Sequence, residues 1–185
     1  MPELPEVETV ARGLANAVTG KTVAAVEVSL PKIAVGLPDQ AFAEALVGET
    51  VAEVGRRAKY IVIRLASGRR VTVHLRMTGQ LVVQRPGTSQ KHPHTHVLLT
   101  FTDGTRLCFA DMRTFGRMRL LEAGDPWDAD GGIEPLSEGF TSEQFLSMLS
   151  GRRTPIKTFL LDQARIAGVG NILSLIQISE PTRPY

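Results

Sequence analysis

Apolar positions recur every three or four residues across VETVARGLANAV and then begin to alternate, which predicts a helix over about 5–18 followed by strands. TVAAVEVSL alternates β-branched residues with others and reads as the first strand. PDQAFAEALVG (38–48) returns to helical spacing and ends at a glycine. Beyond it VAEVGRRAKYIVIRLA, RRVTVHLRMT, QLVVQR, HVLLTFTDG, TRLCFADM and GRMRLLE are each β-rich and bounded by turn residues, with SGRR (67–70) and TDGT (102–105) as hairpin turns. Strands in such close succession, with no helix between them, predict an antiparallel sandwich or barrel. GDPWDADGGIEPLSEG, rich in Gly, Pro and Asp, is the linker candidate at 124–139. Helical patterning resumes in TSEQFLSMLSG, with Thr141 or Ser142 as N-cap, and in TPIKTFLLDQARI, with Pro155 at the helix start; AGVGN then breaks it. The Gly-rich turn from Gly168 to Asn171 could offer backbone N–H groups to a phosphate, although helix C-caps use glycine in any case.

The fold expected is α+β: an N-terminal antiparallel β-sandwich flanked by helices, then a smaller helical unit. Composition bounds this picture without changing it. The 185 residues suffice for a real core, and 43% hydrophobic with 22% charged residues is ordinary for a globular chain. No apolar run approaches the roughly 20 residues of a membrane span, and the acidic, Pro-rich start does not resemble a signal peptide. Cys108 is the single cysteine, which excludes an internal disulfide or a cysteine zinc cluster in this chain and suggests a reducing, cytoplasmic setting.

Charge distribution does change the picture. The formal net charge is only +2, yet residues 56–119 carry 13 basic and 2 acidic side chains, with all four histidines. Residues 1–55 carry 3 basic and 8 acidic, and residues 120–185 carry 5 and 9. A basic excess confined to one block predicts either a polyanion-binding surface or a solvated sheet face with long cationic side chains.

The opening MPELPEVETV has two readings. Pro5, Glu6 and Glu8 suit helix initiation, but Pro2 lies ahead of the helix. Removal of Met1 would leave Pro2 as a secondary amine with a pKa of about 8, far more nucleophilic near neutrality than lysine at about 10.4. Such an amine can attack an electrophilic carbon and pass through a Schiff base, with Glu3 beside it for proton transfer.

MPELPEVET, RRAKY (56–60), HLRMTG (74–79), DMRTFG (111–116), and TPIKTFLLDQ with GVGNI (154–172) together, and in this order, resemble the formamidopyrimidine-DNA glycosylases. PELPE rather than PEGPE favours the oxidised-purine branch over the endonuclease VIII branch, which acts on oxidised pyrimidines. The resemblance implies base-excision repair of 8-oxoguanine and formamidopyrimidines in double-stranded DNA, with AP lyase activity and no metal in the chemistry. It implies catalytic roles for Pro2, Glu3 and Lys59, with Glu6 a further active-site acid or simply a helix-start residue. It also implies DNA contacts from His74, insertion into the duplex by Met77, Arg113 and Phe115, and phosphate contacts from Lys157 and Asn171 in a helix–two-turn–helix element. Without the resemblance, Lys59 would read as an edge-strand lysine, His74 as structural, Met77 and Phe115 as core, and Lys157 as ordinary surface.

The implied organisation is a catalytic sandwich (1–123), a linker (124–139), a partial helix–two-turn–helix domain (140–172) and a tail outside the family pattern (173–185), in a monomer. Relatives continue into a loop that holds the oxidised base and a four-cysteine zinc finger; this chain reads LSLIQISEPTRPY instead. The expectation is therefore a C-terminally truncated enzyme with weakened DNA binding and apolar helix faces, such as Phe159 and Leu160, left exposed. The alternatives are a non-catalytic DNA-binding fragment or an endonuclease VIII-like glycosylase for oxidised pyrimidines. His92, His94 and His96 alternate as if on one strand face, but no carboxylate or cysteine lies nearby in sequence, and no metal site is assigned.

Overall fold

The computed structural model describes residues 1–127 and 131–179. Helix α1 (Leu4–Val18) buries Leu4, Val7, Ala11, Leu14 and Val18, the stripe that the sequence pattern predicts. It is followed by β1 (Val23–Val28), a 3₁₀ turn (Pro31–Ile33), β2 (Ala34–Val35) and α2 (Asp39–Leu46). Seven strands then run β3 (Val51–Arg57), β4 (Tyr60–Leu65), β5 (Arg70–His74), β6 (Gly79–Gln84), β7 (Thr95–Phe101), β8 (Arg106–Asp111) and β9 (Arg117–Leu121). Three short helices follow: α3 (Ser142–Leu149), α4 (Ile156–Leu161) and α5 (Asn171–Ser179).

The strands form two sheets, ordered β1-β7-β8-β6 and β2-β9-β5-β4-β3. All strand pairings are antiparallel except the two-residue contact of β2 with β9, which is parallel. Alternation fixes which side chains face inward. On β4, β5 and β9, Ile61, Ile63, Val71, Val73, Met118 and Leu120 join Phe101, Phe109, Phe42 and the Val7, Ala11, Leu14 and Val18 side chains of α1 in one core. Tyr60, Thr72, His74, Arg117 and Arg119 take the opposite face. Among the described residues, no helix is long and apolar enough to cross a membrane.

Three expectations are corrected. VAEVGRRAKYIVIRLA is not one strand: β3 and β4 form a hairpin paired from Val51↔Leu65 to Arg57↔Tyr60, with Ala58 and Lys59 as its turn. Periodicity cannot reveal this turn, because Ala58 adopts φ +52° without being a glycine. TPIKTFLLDQARI is helical only over Ile156–Leu161 and turns at Asp162, which accepts from Ala164 N at 3.1 Å and Arg165 Nε at 2.7 Å. Phe159 is not exposed. It is 1% accessible, packed against Phe145 (centroids 6.1 Å apart) and under the Arg165 guanidinium at 5.3 Å. Leu160 is half-buried, and the exposed apolar residues of the helical part are instead Leu136, Leu146, Ile156, Ile172, Leu175 and Ile176. Thr141 is the N-cap of α3, accepting from Gln144 N at 3.2 Å.

The segment 124–139 makes specific contacts on its described part. Ile133 N donates to Arg165 O and Ala167 N to Ile133 O, both at 2.9 Å. Residues 128–130 of this linker candidate and 180–185 of the tail candidate lie outside the described residues, and α5 occupies 171–179.

Candidate active site and nucleic-acid interface

The start of the chain is held by the turn before α5. Glu3 is 4% exposed, and its carboxylate accepts from Ile172 N at 2.8 Å and Leu173 N at 2.9 Å. These are first-turn amides of α5, which have no intrahelical acceptor and carry the positive end of the helix dipole. Of the two roles open to the Gly168–Asn171 turn, phosphate binding or a glycine cap, the phosphate role is not served by the amides that follow it, which go to Glu3. Gly170 has no side chain because Glu3 fills the space: a Cβ there would lie 2.3 Å from Glu3 Oε1. Leu4 N donates to Gly168 O at 3.2 Å, and Glu3 N donates to Glu6 Oε2 at 2.8 Å, so Glu6 serves the first turn of α1. Pro2 is half-buried beside this arrangement, and Met1 before it is exposed.

Lys59 reaches the same turn from the other side. It is buried, and its Nζ donates to Val169 O at 3.0 Å. Its backbone position is set by Glu134, which accepts from Ala58 N and from Arg56 Nη1 (3.0 Å) and lies 3.1 Å from Arg57 Nη1. Gln163 fixes the turn itself, donating to Val169 O at 2.7 Å and accepting from Gly168 N at 3.0 Å. Glu134, Gln163 and Gly170 therefore shape the site although the sequence reading passed over them as linker, helix and turn residues.

The residues predicted to enter a duplex sit on two neighbouring loops. Met77 and Phe115 are 45% and 47% exposed, which a core role would not allow, and the Arg113 guanidinium lies 5.0 Å from the Phe115 centroid. Arg76 and Thr114, one on each loop, hold φ near +55°, a conformation that costs non-glycine residues energy and clusters at functional sites. Asp111 joins the loops: it accepts from Thr78 Oγ1, from Gly116 N at 2.7 Å and from Arg113 N at 3.2 Å. Burial alone would raise the Asp111 carboxyl, but these bonds, with Thr78 first, hold it below the usual carboxylate range. Asp111→Asn is expected to lower stability by about 1–3 kcal/mol, read as a reduced urea midpoint, because an amide cannot accept all three bonds. An unchanged midpoint would remove Asp111 from this role.

His74 lies on the outward face of β5, buried, with its Nδ1 accepting from Arg76 N at 3.0 Å and its ring edge-on to Tyr60. That bond assigns the proton to Nε2. Burial first, then Arg76 and Lys59, push its pKa down from 6.5 to about 4. The unfolded chain therefore binds a proton before the folded one. This contribution to stability is complete above pH 6.5 and is lost as pH falls toward about 4, by roughly 3 kcal/mol in all. Urea unfolding at pH 7 and pH 4.5 should show a smaller acid loss in His74→Asn than in the wild type; parallel losses would refute the assignment.

Lys157 is exposed in the first turn of α4 and makes no side-chain hydrogen bond or ion pair among the described residues. Asn171 is exposed at the start of α5. His92, His94 and His96 do not share a strand face: only His96 lies in β7, donating from Nε2 to Asp111 O, while His94 holds φ +58° in the turn. Cys108 is buried in β8 with its Sγ donating to Gln84 Oε1 at 3.3 Å, so the residues present do not fit a four-cysteine zinc finger. Much of the basic block is internally committed. Arg56 and Arg57 bind Glu134, Arg69 binds Glu49 and Glu122, and Lys91 binds Glu27. The net charge of the block therefore overstates the surface free for a polyanion.

Comparison with known proteins bears on the family and the fold. The profile of the formamidopyrimidine-DNA glycosylase N-terminal domain matches residues 1–118, and that of the family's H2TH domain matches residues 132–174. The formamidopyrimidine-DNA glycosylase of Heliobacterium modesticaldum is 44% identical over 178 residues, covering 93% of this chain and 64% of its own. That of Chloroflexus aurantiacus is 45% identical over 175 residues, covering 93% and 62%. The chain thus spans somewhat under two thirds of the length of these relatives. Among solved structures, MutM in complex with DNA containing carbocyclic 8-oxo-G superposes with a TM-score of 0.85 at 30% identity, covering 94% of this chain and 65% of that one. Lactococcus lactis Fpg bound to DNA containing N7-benzyl-Fapy-dG gives 0.84 at 31% identity, covering 92% and 64%. The chain belongs to the formamidopyrimidine-DNA glycosylase family.

Proposed function

We propose that this chain excises oxidised purines from double-stranded DNA and cleaves the strand at the resulting abasic site, using Pro2 as nucleophile. The observation that carries the reading is the Glu3 carboxylate, buried next to Pro2 and fixed by two α5 amides, with the Lys59 ammonium on the adjoining Val169 carbonyl. Removal of the exposed Met1 frees the Pro2 amine. Its nitrogen attacks C1′ of the damaged nucleotide, the glycosidic bond breaks, and its electron pair leaves with the base, which takes up a proton. Glu3 takes up the proton that the Pro2 nitrogen releases and passes it to the sugar ring oxygen as the ring opens, so that the iminium forms between Pro2 and C1′. The base takes its proton from water. The iminium acidifies C2′–H, so loss of that proton expels the 3′ phosphate and a second elimination expels the 5′ phosphate. Lys59 supplies positive charge for a phosphate next to the lesion. Met77, Arg113 and Phe115 offset part of the few kcal/mol lost when the nucleotide leaves the stack. The scheme calls on no cofactor.

Borohydride trapping tests this reading with two duplexes, one carrying 8-oxoguanine opposite cytosine and one an abasic site. Mass spectrometry of the same sample reads the state of the N-terminus. A covalent adduct at Pro2 with both duplexes is expected. An adduct with the abasic duplex alone would restrict the chain to lyase chemistry. No adduct from soluble protein with a free Pro2 would make it a DNA-binding fragment.

A further inference from the structure

The outward face of the β2-β9-β5-β4-β3 sheet carries a cavity of about 190 Å³ lined by Thr72, His74, Arg76, Arg117 and Arg119, with Val35, Tyr60 and Trp127 as apolar walls. The lining follows from register. Arg117 lies opposite His74 and Arg119 opposite Thr72 across the β5–β9 pair, and Arg76 follows two residues after His74. Among the described residues, no carboxylate pairs with Arg76, Arg117 or Arg119. Arg117 Nη1 donates to the carbonyls of Thr114, Phe115 and Gly116, which aims the group without neutralising it. Three guanidiniums therefore face one small opening with no carboxylate beside them among the described residues. The floor adds uncharged polar groups: Thr72, 3% exposed, and His74, 6% exposed, whose Nε2–H has no acceptor among the described residues.

The geometry points to a phosphate seat centred on Arg117 and Arg119, which takes a DNA backbone phosphate beside the duplex-entering loops. The chemistry selects an anion, because among the described residues the lining holds three cations and no acid. Guanidinium forks match tetrahedral oxyanions in pairs of N–H bonds, which singles out phosphate. The cavity is below the roughly 300–1,000 Å³ of pockets that enclose organic ligands, so it receives a single group rather than a nucleotide. Arg76 lies in the cavity and precedes the exposed Met77 in the chain, so a strand engaged by Met77 passes the seat. The choice of DNA as the source rests on the proposed function; the anion chemistry does not.

Arg119 is exposed and its side chain makes no hydrogen bond or ion pair among the described residues, so Arg119→Gln leaves the fold intact, with an unchanged urea midpoint as control. Fluorescence anisotropy on a tetrahydrofuran-containing duplex measures affinity against salt for both proteins. The expected result is a log–log salt slope shallower by about 0.9 in Arg119→Gln, the loss of one phosphate contact. A single methylphosphonate placed at the contacted phosphate should weaken wild-type binding and have no further effect in the variant. Calorimetry with inorganic phosphate separates the sources. If phosphate binds the wild type but not Arg119→Gln while the DNA slope is unchanged, the seat belongs to a free phosphate and the DNA assignment falls. If neither slope nor phosphate binding responds, there is no seat. None of these readouts needs turnover, so failed borohydride trapping would count against the glycosylase reading alone.

Discussion

Gly170→Ala is expected to slow formation of the borohydride-trapped adduct by on the order of 100-fold. The new Cβ would sit 2.3 Å from Glu3 Oε1 and from Glu3 Cδ, inside any permitted contact. Gly170 does not need a positive φ, so the effect is steric rather than conformational. Glu3 is buried and cannot swing away without leaving the amides of Ile172 and Leu173. Bonds to a charged group contribute about 1.5–3 kcal/mol each, and each 1.4 kcal/mol is tenfold in rate, so losing one to two of them gives the expected size. Gly13→Ala is the matched control: it lies on the exposed face of α1 with nothing within 4 Å of a Cβ, and should stabilise the chain by up to about 1 kcal/mol without changing the adduct rate. A Gly170→Ala protein that traps at the wild-type rate would show that the Glu3–α5 contact does not serve the reaction.

The elements with strong periodicity were legible from the chain alone. The stripe of α1, the hairpin turn at 102–105, the turn that ends just before Arg70, and the N-cap at Thr141, one of two candidates, follow pattern and turn chemistry, because each is decided by residues within a few positions. The site was legible only in outline. Pro2 and Glu3 attract notice as chemistry, but what holds Glu3 lies about 170 residues further on, in amides that carry no sequence signal. Lys59 could be read as an edge-strand residue because nothing in RRAKY marks Ala58 as a left-handed turn. The burial of Phe159 is hidden for a related reason: its cover, Phe145 and Arg165, comes from neighbours whose approach depends on how the short helices turn, and α4 ends earlier than its pattern suggests. Charge was the most misleading quantity, since a count of arginines does not distinguish Arg56, buried between two glutamates, from Arg119, exposed on the sheet.

Glu134→Ala is expected to cost about 3 kcal/mol of stability, and it tests whether the segment after the sandwich is a linker or part of the site. The Arg56 side chain is only 8% exposed and divides its guanidinium between Glu8 and Glu134; Arg57 also binds Glu134. Removing one partner from a buried pair costs roughly 3–5 kcal/mol because the remaining charge loses compensation that water cannot replace. Glu8 still holds Arg56 at 2.8 Å, which places the estimate at the lower end. Ala58 N also loses its acceptor, and with it the left-handed turn loses the contact that offsets its own cost of about 1–2 kcal/mol. By contrast, Glu53→Ala removes the exposed pair with Arg64, whose side chains are 58% and 65% accessible, and should change stability by less than about 0.5 kcal/mol. Urea midpoints of the two variants give the comparison, and amide exchange at Ala58 and Lys59 locates the effect. Faster exchange there in Glu134→Ala alone is the expected pattern. If both variants lose stability equally and the turn amides keep their protection, Glu134 is a surface charge and the Lys59 turn stands without it.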